Sequence, residues 1–511
     1  MEAKKPSGGS LFIKSEDWMA VWIGALIIVL AIVIFKNDIM DLKKELVPTY
    51  KWATDGQVAS RVDKWNSWID GASKEAEAKG EAGAVKRLQE LKEALATGDR
   101  KEIAKVAGKA KVLGGVPGEI GKKVEGTAKS VPEKVFSGEN MGKSIKLGLA
   151  LFILAIIGMA VMGREVGKFI IGFPLVFIIA WLSHFIAGNA LSSDYGFEYV
   201  VFALIIGLLI SNTIGTPEWL KPAVQTEYFI KIGLVLLGSG ILFFEILQGG
   251  ALGIVQAILV VAVVWYICFW IAKKLKVDED FAAMLSTAVS ICGVSAAIAA
   301  CGAVQGDKKK LSYVTSLVLV IAVPMMIIMP WAVKHFGIPE LVGGAWIGGT
   351  LDTSGSVVAA GALISEAAMK TGVIVKFSQN VLIGVAAFIL SVVWTYKAGA
   401  VTGEKPSAKI IWERFPKFVL GFIVASIVFS FFLHSDTIAG VKSNLSFLAK
   451  MWFALCFTCI GLETRFGDLV KMEGGRPALA FISAQAVNIV WTLILAYLLF
   501  GGILFAVPDI R

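Results

Sequence analysis

Beyond Ser144 the chain is an almost unbroken succession of apolar runs, which settles the class of fold before any motif is considered. Candidate spans are 144–162, 168–188, 197–214, 228–246, 251–272, 281–304, 311–333, 341–364, 371–396, 416–433, 445–463 and 478–506. Most reach the roughly 20 residues that a helix needs to cross the hydrocarbon core of a bilayer. In lipid each backbone polar group must be satisfied within its own segment, so such runs form helices. With an earlier run from Trp18 to Phe35, about thirteen membrane segments are expected in an all-α polytopic membrane protein. Composition agrees: 56% of the 511 residues are hydrophobic, 17% are charged, and the mean hydropathy is +0.73. The net charge of +9 is then the loop excess of Lys and Arg that orients membrane proteins, and no nucleic acid is expected as a partner.

Three regions follow from composition. Residues 1–35 hold the first apolar run with Lys4, Lys5 and Lys14 upstream; no small-residue cleavage site follows, so it reads as an uncleaved anchor helix. Residues 36–143 form a hydrophilic insertion with 21 Lys/Arg and 17 Asp/Glu. Val85, Leu88, Leu91 and Leu95 repeat there at helical spacing. Asp99-Arg100-Lys101-Glu102 resembles a capping box opening a second helix through Ile103, Val106 and Ala107. The insertion is either a docking or oligomerisation module or a solvated helical hairpin. Residues 144–511 form the membrane domain, a transporter by the reading developed below.

Two of the spans are broken by small polar residues. The first reads FAAMLSTAVSICGVSAAIAACGAV from Phe281 to Val304, and the second LVGGAWIGGTLDTSGSVVAAGALI from Leu341 to Ile364. Such breaks at bilayer depth survive only against protein or a water-lined cavity. Paired broken helices point to the midplane site of a secondary transporter. The segments either span or re-enter.

Free N–H groups at a half-helix start bind an oxyanion without a buried lysine. Gly293 permits close backbone approach and Ser295 is placed to cap the half-helix that follows, with Cys292 just before it. In the second segment Thr353, Ser354, Gly355 and Ser356 open a half-helix with hydroxyls and donors. Asp352 sits among them; an acid at that depth is costly. It either couples transport to a proton or sodium ion, or caps its own half-helix. Gln379, Asn380, Gln485 and Asn488 are further polar groups inside apolar runs, placed to line the site or to hydrogen-bond between helices.

The five cysteines, Cys268, Cys292, Cys301, Cys456 and Cys459, lie in apolar segments without metal or haem spacing. Cys456 and Cys459 on one helix read as a packing face rather than a redox pair. No Walker A, H-E-x-x-H or G-x-S-x-G pattern occurs, so neither an enzyme nor an ATP-driven pump is expected, and no cofactor. A channel would call for a pore-lining ring of charge.

Loop charge places the N-terminus in the cytoplasm, with Arg164, Lys168, Lys397 to Lys417, Arg465, Lys471 and Arg476 inside and the insertion outside. Asp307 to Lys310 falls on the wrong side unless an earlier segment fails to cross. Lys231 to Gly238, leading to Gly249-Gly250, echoes Lys450 to Cys456, which leads through Glu463 and Asp468 to Gly474-Gly475, as an inverted repeat would.

Ser290 to Ala296, Val357 to Ala362 and Ile460 to Thr464, with Lys231 to Gly238 and Phe418 to Phe422, resemble the YeiH-type family of proposed sulfate exporters over about residues 144–506. The resemblance implies a cation–proton-antiporter or bile-acid-symporter-like fold with two inverted repeats of discontinuous helices. It implies transport of a small anion, sulfate or an organic sulfonate, in a bacterial inner membrane, with a homo-oligomer left open. Two departures stand out. Leu351 precedes Asp352 where the family commonly carries a histidine, and the insertion is outside the usual pattern.

Overall fold

In the computed structural model the described residues are 14–194, 197–397, 409–467 and 475–510. They are helical nearly throughout; Trp52 and Asn189 form an isolated bridge, and no strand occurs among them. Eight helices are long and apolar enough to cross a membrane: Glu16–Lys36, Gly138–Val161, Val166–Ala187, Phe243–Lys274, Lys309–His335, Glu366–Tyr396, Ser435–Glu463 and Arg476–Phe500. Shorter apolar helices are Tyr199–Thr213, Val294–Val304, Ser354–Ile364 and Lys417–Phe432.

The chain divides into two compact units. The second, Lys43–Leu151 with Trp181–Phe202, contains most of the hydrophilic insertion. Its helices Val62–Ala78, Ala82–Thr97, Arg100–Ala110 and Gly115–Ala128 bury Trp65, Ile69, Leu88, Leu91, Leu95, Ile103, Ala107 and Val124. The expected spacing of Leu88, Leu91 and Leu95 is therefore the core stripe, with Val85 only half-buried at its edge. At Asp99 the expected capping box is a single cap: its carboxylate accepts from Lys101 N–H at 2.8 Å, one residue short of the position a box requires. Next to it, the Arg100 guanidinium donates to the carbonyls of Ala53 (2.8 Å), Ala128 (3.1 Å) and Ser130 (2.9 Å), tying a helix end to the incoming strand-like segment. That segment pairs in turn with the 185–190 turn, through Trp52 N–H to Gly188 O and Ala190 N–H to Trp52 O.

The first unit comprises Met1–Leu42, Phe152–Ala180 and Ala203–Arg511. The N-terminal helix Glu16–Lys36 is capped by Ser15 and packs on Thr226–Leu237 so closely that a Cβ on Gly24 would lie 2.6 Å from Val235. Small residues at such crossings let backbones approach, which replaces the missing hydrophobic force between helices in lipid. Thr226–Leu237 also packs against Ser435–Glu463, the two running antiparallel, with the Thr226 hydroxyl donating to Glu463 at 2.8 Å. Of the echo expected around these helices, Asp468 and Gly474 lie outside the described residues.

Both broken segments turn back on themselves. In the first, Glu279–Thr287 continues through wide turns at Ala288–Cys292, reverses at Gly293 and returns as Val294–Val304. Its two ends meet: Lys310, just beyond the returning arm, pairs with Asp278 (2.7 Å) and Asp280 (3.2 Å) at the start of the entering arm. In the second, Glu340–Thr350 reverses at Leu351–Thr353 and returns as Ser354–Ile364, and the Ser365 hydroxyl donates to Glu340 at 2.7 Å. The two are hairpins whose tips meet inside the unit.

Candidate functional site

Gly293 makes the reversal of the first hairpin possible. Its φ of 59° and ψ of −106° suit glycine alone, and a Cβ there would lie 2.5 Å from Val318 and 3.0 Å from the Asp352 carbonyl oxygen. The two tips therefore touch at Gly293 and Asp352.

Each tip has two helix ends of opposite polarity, and the fold treats them differently. The entering arms end in unpaired carbonyls, the negative end of a helix. These are covered by donors from two neighbouring helices. From Glu366–Lys397, the fully buried Lys376 ammonium donates to Ile291 O and, at 2.7 Å, to Leu351 O; Gln379 Oε1 accepts from it at 2.8 Å. Gln379 Nε2 donates to Ser290 O (2.8 Å) and Gly349 O (3.2 Å). From Arg476–Phe500, Gln485 donates to Thr350 O at 2.9 Å and Asn488 to Val289 O and Thr350 O at 3.4 Å. One lysine and three amides thus hold both tips. Gln379, Gln485 and Asn488 stood out in the sequence as polar groups in apolar runs; Lys376 was overlooked. An ionisable residue three positions before a buried glutamine, inside a span, was the signal available.

The returning arms present their N-terminal ends to a cavity of about 230 Å³. A water occupies about 30 Å³ of liquid, so the space takes several waters or a small polyatomic ion. Cys292, Ser295, Thr353 and Ser354 line it, together with Asn380, Ile383, Lys231 and Arg414. The Asn380 amide donates to the Ser354 hydroxyl at 3.2 Å, and its own oxygen has no partner.

Two expected roles are corrected. Ser295 does not cap its half-helix: Gly293 holds the cap position, the Cys292 sulfur meets the Ala296 N–H of the first turn, and the Ser295 position faces the cavity. Asp352 does not cap either. Thr353 is the cap, its hydroxyl accepting from Ser356 N–H at 3.1 Å while the Ser356 hydroxyl accepts from Thr353 N–H at 3.3 Å. That reciprocal box spends Ser356 on the backbone, and Gly355 faces Ile460 behind the cavity wall. Of the expected substrate residues Cys292, Ser295, Thr353 and Ser354 line the cavity, whereas Gly293, Gly355 and Ser356 shape its wall.

Asp352 lies on the tip, 1% exposed, and neither carboxylate oxygen has a hydrogen-bond partner. A carboxylate buried without a hydrogen bond among the described residues is expensive to ionise, and the Lys376 ammonium that holds the neighbouring Leu351 carbonyl is the opposite charge acting on it. Elsewhere Glu245 accepts from Leu242 N–H at the start of its own helix, and Cys456 and Cys459 are buried free thiols in the helix core.

A family model described as "Conserved hypothetical protein 698" matches residues 171–480. The chain is 40% identical over 367 residues to a UPF0324 membrane protein of Rhodopirellula baltica, covering 69% of this chain and 67% of that protein. It is 40% identical over 390 residues to a UPF0324 membrane protein of Nitratidesulfovibrio vulgaris, covering 74% and 67%. To the UPF0324 inner membrane protein YeiH of Escherichia coli it is 26% identical over 322 residues, covering 58% and 89%. No solved structure matches it.

Proposed function

The chain belongs to the family described as Conserved hypothetical protein 698, whose relatives are membrane proteins, and we propose that it is a secondary transporter of a small anion. Sulfate or an organic sulfonate is the substrate class, moved outward by alternating access between inverted repeats. The observation that carries this reading is the asymmetry of the hairpin tips. Every carbonyl end is covered by Lys376, Gln379, Gln485 or Asn488, while both N–H ends, one without a side-chain cap, open on one cavity beside Ser295, Ser354 and Arg414. Helix N-termini attract anions through their free N–H groups and dipole. Asp352 serves as the coupling site for a proton or sodium ion, because its buried carboxylate has no hydrogen-bond partner among the described residues and its charge balance rests on the nearby Lys376 ammonium.

The hairpin geometry also supports an inner-membrane arrangement with a cytoplasmic N-terminus. A first hairpin that returns to its own side puts Lys308, Lys309 and Lys310 with Arg164, Lys273, Lys274 and Arg476, the side where cationic loops belong. Labelled sulfate and taurine flux in proteoliposomes, under imposed proton or sodium gradients, tests the reading on wild type and Asp352→Asn. Gradient-driven flux in wild type that becomes gradient-independent in the variant is expected. Absence of flux with any anion refutes the substrate class, and equal gradient response in both proteins refutes the role of Asp352.

A further inference from the structure

The cavity wall opposite the hairpin tips carries a second set of ionisable groups. Lys231 is 8% exposed and is clasped by Glu16 (2.7 Å) and Asp17 (2.8 Å) of the N-terminal helix and by Glu227 (3.5 Å) one turn earlier in its own. Arg164 answers Glu16 at 2.6 Å. The other oxygen of Asp17 accepts from the backbone N–H of Lys417 at 2.9 Å. Glu463 arrives from Ser435–Glu463 and accepts from Thr226. Glu413 and Arg414 face the cavity as one charge of each sign, while the Lys417 ammonium turns to the carbonyls of Trp412 and Phe415. The Cys292 thiol is the remaining titratable group on the wall.

Three carboxylates, Glu16, Asp17 and Glu227, therefore share Lys231, with Arg164 pairing with Glu16, while Glu463 beside them is held by the Thr226 hydroxyl. Glu227 is the least served. Its one partner among the described residues is Lys231, at the longest of the three distances, and it lines the cavity. An anion entering here meets uncompensated negative charge from one wall and helix N-termini from the other. Like charges at close range in a poorly solvated space repel strongly.

We propose that Glu227, Asp17 and Lys231 form a proton site, distinct from Asp352, that sets anion affinity. A proton from bulk solvent forms an O–H bond on the Glu227 carboxylate and removes that negative charge from the cavity wall, while the Lys231 ammonium, still paired with Glu16 and Asp17, keeps its charge and now attracts the anion. This rests on the anion-cavity reading above. It gives the N-terminal helix a function beyond anchoring, since Glu16 and Asp17 hold Lys231 at the cavity wall.

The test is isothermal titration of the purified full chain with sulfate, thiosulfate and taurine, at pH values from about 5.5 to 8.5. With one linked proton, wild-type affinity falls about tenfold per pH unit in the upper part of that range. Glu227→Gln is expected to bind with nearly constant affinity across the range, and Lys231→Gln to bind at least tenfold more weakly at low pH. Asp17→Asn, which retains an acceptor for Lys417, repeats the test if Glu227→Gln does not fold, and is expected to flatten the slope in part. Binding with a wild-type slope in Glu227→Gln, or in Asp17→Asn where that stands in, overturns the proton site alone. So does a wild type without pH dependence. No binding of any of the three anions to wild type at any pH overturns the anion cavity, and this proposal with it.

Discussion

Replacing Lys376 with methionine keeps the length and most of the volume of the side chain and removes only its charge and donors. Those donors hold the last carbonyls of both entering arms, Ile291 O and Leu351 O. Hydrogen bonds to a charged group contribute about 1.5–3 kcal/mol each, so opening the tips becomes easier by about 3 kcal/mol or more. In the open state a lysine recovers water while the methionine recovers nothing, which is why the loss falls on the tip and not evenly on the fold. At about 1.4 kcal/mol per factor of ten, the opening equilibrium rises on the order of 10²-fold. Hydrogen–deuterium exchange reads this directly, since exchange of protected amides follows local opening. Peptides covering 286–296 and 347–357 should exchange about 10²-fold faster in Lys376→Met, with the helix Ser435–Glu463 unchanged as an internal reference. Gln379 still covers Ser290 O and Gly349 O in the variant, so the tips loosen without unfolding. Exchange at the tips within about twofold of wild type, in a variant that still folds, would refute the idea that Lys376 holds them.

Three further outcomes follow from the geometry. Gly293→Ala places a non-glycine residue at φ 59° and a Cβ 2.5 Å from Val318, so a loss of at least about 1–2 kcal/mol is expected, seen as a lowered melting temperature. In the second unit, Arg100→Ala strands the carbonyls of Ala53, Ala128 and Ser130; about 2–4 kcal/mol of local stability should go, and limited proteolysis near 128–131 should accelerate. The Glu125 carboxyl is held below the ordinary carboxylate range by its hydrogen bond from Lys129 first, with Lys111 adding to it. A depressed folded value means the stabilisation is present above the unfolded value near pH 4.3 and is lost as pH falls through the folded one. Melting curves of wild type and Glu125→Gln should therefore differ at pH 7 and converge near pH 3.

The breaks in the two spans were legible because glycine and hydroxyl residues at bilayer depth have few structural uses, and the described helices stop and restart there, at Gly293 and at Leu351–Thr353. Which hydroxyl would cap was less legible. Asp, Thr and Ser all cap well, and the choice of Thr353 over Asp352 turns on a backbone angle that one residue of register decides. Lys376 was overlooked although it is a charge in an apolar run, since its partners are carbonyls, and carbonyls leave no trace in a sequence. Glu16 and Asp17 were hidden for another reason. At the head of an apolar run they read as ordinary first-turn acids, and only packing against Thr226–Leu237 makes them partners of Lys231.

The loop charges carry the last step. Counted as a crossing, the segment Phe281 to Val304 leaves Asp307 to Lys310 among the acidic loops, a conflict with the orientation that most short cationic loops favour. Counted as a hairpin, it returns Lys310 to Asp278 and Asp280, and the conflict disappears. The helix Lys309–His335, long and apolar enough to cross a membrane, joins the first hairpin to the second, so a second hairpin whose own ends pair through Ser365 and Glu340 would enter from the other face. Two hairpins from opposite faces leave one pair of arms on each side of a single contact between Gly293 and Asp352. A site built that way is reached from one face only by displacing the arms belonging to that face. Cysteines placed near Asp280 and near Glu340 should therefore change thiol accessibility in opposite directions when an anion is added, and parallel changes at both would rule out alternating access about this contact.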